Sequence, residues 1–250
     1  MKTLSFKEKI RYDRQIIIPE IGEEGQKKLK NASVFIAGAG GLGSVSSYYM
    51  AAAGIGFLKI VDRDHVDLSN LNRQILHRTS DIAISKAESA LEKLRELNPC
   101  CHIRAVREEI RDENVLELIG DCKIIMDATD NTGTRRILNK ACFLKGIPFI
   151  HGGINGFNGM VTTFVPGETS CFECLFPAKT TQRDDKVGAL GPMAGLVASV
   201  QTLEAIKIIL GMGGGLKGRL LYIKAADMSF REIRLERNPD CHVCGQRVKG

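Results

Sequence analysis

The stretch SVFIAGAGGLGS, residues 33–44, joins a short apolar run to a glycine-rich turn. The run Ser33–Ala37 is typical of a buried strand, and a helical pattern over Leu42–Ala53 follows the glycines. Glycines at this spacing allow a tight turn, a close approach of the backbone to phosphate and close helix–strand packing. Because the helix N-terminus adds free N–H groups and a positive dipole end, the stretch predicts a nucleotide-binding turn. The glycines of this turn are Gly38, Gly40, Gly41 and Gly43.

Outward from this turn, the first 150 residues alternate apolar runs with longer amphipathic stretches. The predicted strands are Ser33–Ala37, Phe57–Val61, His102–Val106, Lys123–Asp127 and Pro148–His151. The predicted helices between them are Leu42–Ala53, Ile84–Leu97, Asn114–Ile119 and Thr132–Lys145. Strands that alternate with helices of this length predict βαβ crossovers, and hence a Rossmann-like, doubly wound α/β fold with a parallel sheet.

The pattern changes in the second half, where GMVTTFVPG, RLLYIKA and FREIRLE alternate apolar and polar residues. This alternation predicts antiparallel strands that continue the parallel sheet, with a long helix over Met193–Leu210 between them. We expect a single domain over residues 1–250, divided into a helical arm at 1–31, a nucleotide-binding half at 32–152 and a second half at 153–250. The polar segment at about 177–190 is predicted to be a mobile loop.

The charge, the apolar runs and the cysteine count of the chain indicate which class of protein it belongs to. Lys and Arg number 35 against 29 Asp and Glu, and because this excess of +6 is spread along the chain it does not indicate a nucleic-acid surface. The N-terminus is charged and lacks an apolar signal core, and no run of about 18 apolar residues occurs. We therefore expect a cytoplasmic protein without a membrane span. In such a protein, eight cysteines predict reduced thiols or metal ligands rather than disulfides.

Three charged residues indicate which nucleotide binds. Asp62 ends the second predicted strand, where a carboxylate accepts hydrogen bonds from ribose hydroxyls. Arg73 follows that strand and Lys86 lies in the first turn of the next helix, both on the side expected for phosphates. A cation in the first turn opposes the helix dipole, an unfavourable local choice that is typical of a site residue. Because a triphosphate needs cationic side chains more than a dinucleotide does, the pair favours ATP over NAD.

Asp130, in the stretch IIMDATDNTGTRR, follows the fourth predicted strand and precedes another helix. A carboxylate there could hold the Mg²⁺ that accompanies ATP. Alternatively, Asp130, Asn131 or Thr132 could be the N-cap of the helix. Spacing alone does not decide between the two interpretations.

Two CxxC pairs, CFEC and CHVC, lie far apart in the second half of the chain. Each pair can place two thiolates on one side of a tight turn, and four thiolates form a closed tetrahedral zinc site. A redox-active CxxC would account for only one pair, so we predict a structural zinc that joins the C-terminal end to the middle of the fold. The expected ligands are Cys171, Cys174, Cys241 and Cys244, and the remaining cysteines are expected to be mostly core residues.

Several longer motifs follow one another in a fixed order. They are RYDRQ (11–15), the glycine turn, VDRDHVDLSNLNRQ (61–74), Lys86, DATDN (127–131), the CxxC pairs and GPMAGLVASVQTLEAIK (191–207). Over essentially its full length the chain thus resembles the MoeB/ThiF/HesA family of ubiquitin-activating-enzyme-like adenylyltransferases. The resemblance implies that the chain uses MgATP to adenylate the C-terminal glycine carboxylate of a small ubiquitin-fold sulfur-carrier protein ending in Gly-Gly, releasing pyrophosphate.

The resemblance also implies roles for individual residues. Asp62 would bind the ribose, with Asn70 close by in the same motif, while Arg73 and Lys86 would bind phosphates. Asp130 would serve the metal and the reacting phosphate. In a separate part of the chain, Arg14 matches an arginine that family dimers insert into the neighbouring subunit's site, so a homodimer is expected.

The loop before Gly191 departs from part of the family. Members of the thiamine branch carry a cysteine there that can bond the carrier, whereas this chain reads QRDDKVGALGP, with no Cys between Cys174 and Cys241. A covalent enzyme–carrier step is therefore not expected, and a separate donor would deliver the sulfur. Molybdopterin, thiamine and related pathways all remain open, with the loop favouring the molybdopterin type.

Three other functions fit parts of the sequence. A relative that adenylates a carboxylate on modified tRNA is compatible with the basic pI, but by the family resemblance such relatives lack the zinc cysteines. An NAD-dependent oxidoreductase would leave Arg73, Lys86 and Arg14 without a role. A non-catalytic scaffold held by zinc would need none of the charged residues around the glycine turn.

Overall fold

The computed structural model describes residues 3–177 and 187–245, and within them eight strands form one mixed sheet. In chain order the strands are β1 Ser33–Ala37, β2 Phe57–Val61, β3 His102–Val106, β4 Ile124–Asp127, β5 Phe149–Asn155, β6 Asn158–Phe164, β7 Arg219–Lys224 and β8 Ser229–Arg234. Their order across the sheet is β3-β2-β1-β4-β5-β6-β7-β8. Strands β1 to β5 are parallel and β6 to β8 continue antiparallel, so the predicted α/β fold is confirmed.

The helices in chain order are α1 Phe6–Arg11, α2 Asp13–Ile16, α3 Gly22–Asn31, α4 Gly41–Ala53, α5 Lys86–Leu97, α6 Val115–Ile119, α7 Thr132–Lys145, α8 Phe172–Leu175 and α9 Gly191–Leu210. Most follow the predicted bounds, but α5 begins two residues later than Ile84. The N–H of Val66 donates to the carbonyl of Ile84, and that of Ala83 to the carbonyl of Val66. This pairing keeps the segment before α5 extended and fixes where the helix starts.

The central strand shows how the sheet is buried on both faces. Val34 and Ile36 of β1 belong to an apolar cluster that contains residues of α4, α5 and α9. Phe35 and Ala37 belong to a second cluster, formed with residues of α6 and α7. Because alternate side chains point to opposite faces, a continuous apolar run here is the pattern of a strand between two helical layers.

Strand β5 runs four residues beyond the predicted end at His151. Gly152 and Gly153 pair with Val161 and Met160 of β6 in antiparallel register. Two adjacent glycines are typical of a turn, which is why the sequence pattern ended the strand early. The side chain of Gln201 lies where a side chain on Gly152 would be, because an ideal Cβ there would be 2.5 Å from the Gln201 Cδ.

Helix α9 is the one described helix that is long and apolar enough to cross a membrane by length and composition. Half of its most apolar window is buried against the rest of the fold, with Met193, Val197 and Ala198 in the core. Its neighbours are α4, β5 and β6, so its apolar character is explained by packing. Of the predicted mobile loop at 177–190, residues 178–186 lie outside the described residues.

Candidate nucleotide site and cysteine cluster

The glycine turn has a steric requirement at two positions. Gly38 adopts a left-handed φ of +102°, and a Cβ on it would lie 2.6 Å from the carbonyl oxygen of Ala128. A Cβ on Gly43 would overlap the carbonyl oxygen of Gly38. Gly40 is the N-cap of α4 and provides no side-chain cap, so the first N–H groups of the helix face the turn without a side-chain acceptor. This is the arrangement that binds phosphates at helix N-termini.

Asp62 lies next to the glycine turn, as predicted. Its Oδ2 accepts a 2.7 Å hydrogen bond from the N–H of Ala39, and its Oδ1 accepts one of 2.8 Å from the N–H of Asp64. The carboxylate therefore holds the turn in place, and its second lone pairs are available to ribose hydroxyls.

Lys86 lies in the first turn of α5, as predicted, although it is the first residue of the helix and not the third, and only 6% of it is exposed. Its Nζ lies 3.0 Å from Oδ2 of Asp64, an exposed residue just beyond β2. An ammonium in this position opposes the helix dipole and has one carboxylate partner that is open to solvent. Such an arrangement suits a cation that binds an incoming anion.

Arg73 lies between the glycine turn and the start of α9. The ideal Cβ position of Gly41 is 3.5 Å from the Arg73 carbonyl oxygen, and that of Gly191 is 3.4 Å from the Arg73 Cα. The guanidinium donates from Nη1 to the carbonyl of Ser69 at 2.8 Å and to Oδ1 of Asn72 at 2.9 Å. Both acceptors are neutral, so the charge of Arg73 is not neutralised by an ion pair within the described residues.

Asn70 lies in the short 3-10 turn Leu68–Asn70 that precedes Arg73. Its Oδ1 accepts a 3.1 Å hydrogen bond from the N–H of Asp67, and Asp67 in turn accepts from the N–H of Ser69. The structure therefore gives Asn70 a capping role, which leaves its amide N–H₂ group for a ligand.

The structure excludes one of the two interpretations of Asp130, that it is the N-cap of α7. The N-cap of α7 is Asn131, whose side chain accepts a 2.8 Å hydrogen bond from the N–H of Thr134. Asp130 is exposed and makes no hydrogen bond or ion pair with any residue that the structure describes. The carboxylate is thus not needed for capping.

Beneath Asp130 lies a buried network that the sequence motifs did not indicate. Asp127 is fully buried, and its Oδ2 lies 2.6 Å from Nδ1 of His151 and 3.2 Å from Nε of Arg135. Its Oδ1 accepts from both the N–H and the hydroxyl of Thr129. Arg135 also donates from Nη2 to the Thr129 carbonyl at 2.7 Å, so the network fixes the loop that carries Asp130.

Two opposing effects set the pKa values in this network. Burial raises the pKa of the Asp127 carboxyl, but the charge of Arg135 and the hydrogen bond from His151 outweigh it and hold that pKa below its usual value. Burial lowers the pKa of His151. One sequence signal belongs to this network, which is the first Asp of DATDN at the end of a strand. Nothing in the pattern links that residue to His151 on the next strand.

Arg14 lies in α2, which packs on α3, and its side chain is exposed. Within the described part of the chain no hydrogen bond or ion pair joins it to the other predicted nucleotide residues. Its predicted role in the site of a neighbouring subunit therefore remains a prediction.

The four predicted ligands of the second half do come together. The Sγ atoms of Cys171, Cys174, Cys241 and Cys244 all lie within 4.8 Å of one another. Contacts cross between the two CxxC pairs, at 3.6 Å for Cys171–Cys241 and 3.3 Å for Cys174–Cys244. Four sulfur ligands in one closed cluster are the donor set of a structural zinc site, so these residues fit that metal.

The thiols of this cluster have different acidities. Burial raises the pKa of Cys171, and it raises that of Cys244 to about 11. At Cys241 burial also opposes ionisation, but hydrogen bonds with the backbone of Cys244 and Val243 outweigh it and lower the pKa to about 7. Three other cysteines are core residues, as predicted, whereas Cys100 is exposed.

Comparisons with known proteins agree with this geometry. The SAMP-activating enzyme E1 of Haloferax volcanii is 42% identical over 240 residues, which is 94% of this chain and 88% of that protein. The adenylyltransferase and sulfurtransferase MOCS3 of Drosophila sechellia is 42% identical over 241 residues, 94% of this chain, and this chain spans about half (53%) of it. The crystal structure of E. coli MccB with ATP superposes with a TM-score of 0.85 at 26% identity, covering 94% of this chain and 73% of that one. The ThiF family model matches residues 12–243, and the chain therefore belongs to the ThiF family.

Proposed function

We propose that this chain is an ATP-dependent adenylyltransferase that activates the C-terminal glycine carboxylate of a small ubiquitin-fold sulfur-carrier protein. The observation that carries the proposal is Lys86, a nearly buried ammonium at a helix N-terminus whose partner carboxylate, Asp64, is open to solvent. Relatives named as a SAMP-activating enzyme E1 and as an adenylyltransferase, together with a similar structure that contains ATP, support the same chemistry.

The reaction needs positioning and charge more than it needs a base. An ionised carboxylate oxygen of the carrier attacks the α-phosphorus of ATP, the α–β phosphoanhydride bond breaks, and its electron pair leaves with pyrophosphate. No proton has to move in this step. The N–H groups of the glycine turn and the cations Arg73 and Lys86 stabilise the charge that develops on the phosphates, while Asp62 orients the ribose.

Asp130 would be a carboxylate ligand of the Mg²⁺ that accompanies ATP. The carboxylate is exposed and is not the cap of α7, so it is available to a hard cation that prefers oxygen ligands. When bound, Mg²⁺ would neutralise phosphate charge. The network of Asp127 and Arg135 would keep the Asp130 loop in one conformation during the reaction.

Zinc at the four cysteines would have a structural role. The cluster joins α8 to the turn at Cys241–Cys244, near the end of the described chain. Four protein ligands leave no open position for a substrate, which is the property of a structural site.

Partners follow from the same proposal. The carrier would end in Gly-Gly, a second copy of the chain would contribute Arg14, and the protein would act in the cytoplasm. Because the sequence has no cysteine between Cys174 and Cys241, the carrier–AMP would be the product and a separate sulfur donor would use it.

The test is ATP–pyrophosphate exchange in the presence of candidate carriers. We expect exchange with a carrier ending in Gly-Gly and none with the same carrier lacking its last two residues. Modified tRNA in place of the carrier and NAD as a competitor test the two other enzyme functions. Exchange that needs tRNA, or binding of NAD that is tighter than that of ATP, would contradict the proposal.

A further inference from the structure

A buried histidine lies directly beneath the glycine turn. His77 is 6% exposed, its Nε2 lies 2.9 Å from the carbonyl oxygen of Ala39, and its Nδ1 lies 2.8 Å from Oγ of Ser89. Ala39 is the second residue of the GAGGLG turn, and its N–H donates to Asp62. The peptide groups on both sides of Ala39 are therefore fixed by buried or half-buried side chains.

Hydrogen-bond chemistry defines the tautomer of His77. A carbonyl oxygen can only accept, so Nε2 must carry a hydrogen. In a neutral ring Nδ1 is then an acceptor, and the Ser89 hydroxyl must donate to it. Burial lowers the pKa of His77, and the nearby cations Lys86 and Lys93 lower it further, against the opposing effect of the Ala39 contact and of Asp81. The neutral Nε2–H form is thus the one present at neutral pH.

The Ser89 hydroxyl is itself held by a buried ion pair. Nζ of Lys93 lies 3.0 Å from Oγ of Ser89 and 2.6 Å from Oδ2 of Asp81. Asp81 also accepts from the N–H of Arg78. The Ser89 hydroxyl has one hydrogen and two acceptors within reach, Oδ2 of Asp81 at 3.0 Å and Nδ1 of His77 at 2.8 Å. Oδ2 of Asp81 also accepts from Lys93 and from the N–H of Arg78, so the hydrogen goes to Nδ1 when the ring is the neutral Nε2–H tautomer. Each of the four residues in this set of contacts is less than 9% exposed, namely His77, Ser89, Lys93 and Asp81.

Helix α5, whose Ser89 contacts His77, also carries Lys86, the proposed phosphate ligand. Lys86, Ser89 and Lys93 lie on α5 at spacings of three and four residues, so they share one side of the helix. Lys86 pairs with Asp64, whereas Ser89 and Lys93 contact His77 and Asp81. A single contact path therefore joins the glycine turn to α5.

We propose that His77, held as the Nε2–H tautomer by Ser89, Lys93 and Asp81, is a positioning residue for nucleotide binding. It turns the Ala39 carbonyl away from the phosphates, where an oxygen would repel the anion, and it couples the glycine turn to the helix of Lys86. The inference rests on the proposed function only for the identity of the nucleotide.

Direct binding of MgATP, measured by calorimetry without any carrier, is the test. His77→Leu removes the donor and leaves the Ala39 carbonyl unpaired, so we expect the Kd for MgATP to rise about 10- to 100-fold. His77→Gln retains an N–H donor at the end of the side chain and is expected to bind within about fivefold of the parent. His102→Gln, at an exposed histidine on β3, is the control and should bind like the parent.

A second measurement separates positioning from packing. In ¹⁵N NMR of histidine-labelled parent protein, His77 should show a protonated Nε2 and an unprotonated Nδ1. A purely structural His77 would lower the melting temperature of His77→Leu but leave its Kd for MgATP unchanged, and that result would overturn the inference. If His77→Leu does not fold, Ser89→Ala removes one oxygen only. Unchanged MgATP affinity in Ser89→Ala would overturn the inference, whereas a parent protein that binds no MgATP would contradict the proposed function.

Discussion

The cysteine cluster and the nucleotide cleft are constructed in different ways. The cluster consists of four identical side chains from two short turns, and every ligand atom lies within 4.8 Å of the others. The cleft draws its charged residues from separate elements, with Asp62 after β2, Lys86 on α5 and Asp130 before α7. Buried residues support the cleft, with Asp127 under the loop of Asp130 and His77 against the glycine turn.

This difference predicts how each region responds to substitution. Removing a charge from the cleft surface should change activity with little effect on stability, since the charge contributes to binding rather than to packing. Removing a cysteine should change stability through the loss of metal. Removing a residue of the buried networks should change both. Each of the predictions below tests one part of this division.

The largest expected effect is that of Lys86→Ala on catalysis. Loss of one cation that stabilises developing phosphate charge is expected to lower ATP–pyrophosphate exchange by roughly 1,000-fold. The melting temperature should not fall by more than a few degrees, because an ammonium in the first turn of α5 opposes the helix dipole. Lys140→Ala, at an exposed ion pair with Asp112, is the matched control. Near-normal exchange in Lys86→Ala would contradict the phosphate role.

Arg135→Met tests the network under the Asp130 loop. It leaves the fully buried Asp127 without its cationic partner, so we expect the free energy of unfolding to fall by about 3 kcal/mol. Exchange by the folded fraction should also fall, since the loop loses its bond to Arg135. Urea unfolding measures the first effect. Arg111→Met breaks an exposed ion pair with Glu109 and should cost less than about 1 kcal/mol. Equal costs for the two variants would show that Asp127 does not depend on Arg135.

Cys171→Ser tests the other region. The variant is expected to lose bound zinc. When the free zinc concentration is about 100 times the Kd of the site, binding contributes about 2.7 kcal/mol to the free energy of unfolding, and this contribution would be lost. Metal analysis and urea unfolding would detect the two changes, and exposed Cys100 provides the control Cys100→Ser. Retention of one zinc per chain in Cys171→Ser would contradict the assignment of the ligand.

The sequence predicted the parts of the molecule that depend on local pattern. The alternation of apolar runs and helices predicted β1 to β4 and α7 closely, because buried parallel strands and capped helices each follow a short-range rule. The cysteine spacing predicted the cluster, since four thiols of matched spacing have few other uses in a chain without disulfides. In both cases the residues that form the sequence pattern are also the residues that form the element or the cluster.

The supporting networks could not be predicted in this way. Asp127 and His151 meet because β4 and β5 are neighbours in the sheet, and His77 contacts Ala39 although 38 residues separate them in the chain. These contacts depend on tertiary structure, and a lone buried histidine has no spacing signature. The end of β5 was missed for a similar reason, since only the packing of Gln201 explains why Gly152 belongs to a strand.

The smallest expected effect is a pH dependence that comes from the buried histidines of the cleft. Burial lowers the pKa of His77 and of His151 below the usual 6.5, so the unfolded chain takes up protons before the folded one does. Their contribution to stability is therefore complete above pH 6.5 and is lost as the pH falls below it, by at most about 1.4 kcal/mol per pH unit for each histidine. Asp127, whose pKa is below 3.8, loses its contribution only at more acidic pH.

Urea unfolding of His77→Gln between pH 7.5 and 5.5 isolates one of the two histidines. The variant has no titratable group at this position, so its free energy of unfolding should fall less steeply with acidification than that of the parent, by up to about 1.4 kcal/mol per pH unit. His102→Gln, at the exposed edge of the sheet, should keep the parent slope. A parent slope in His77→Gln would mean that His77 is protonated equally in the folded and unfolded chains. The lowered pKa of His77 would then be wrong, and the acid sensitivity of the parent would come from other groups, such as His151.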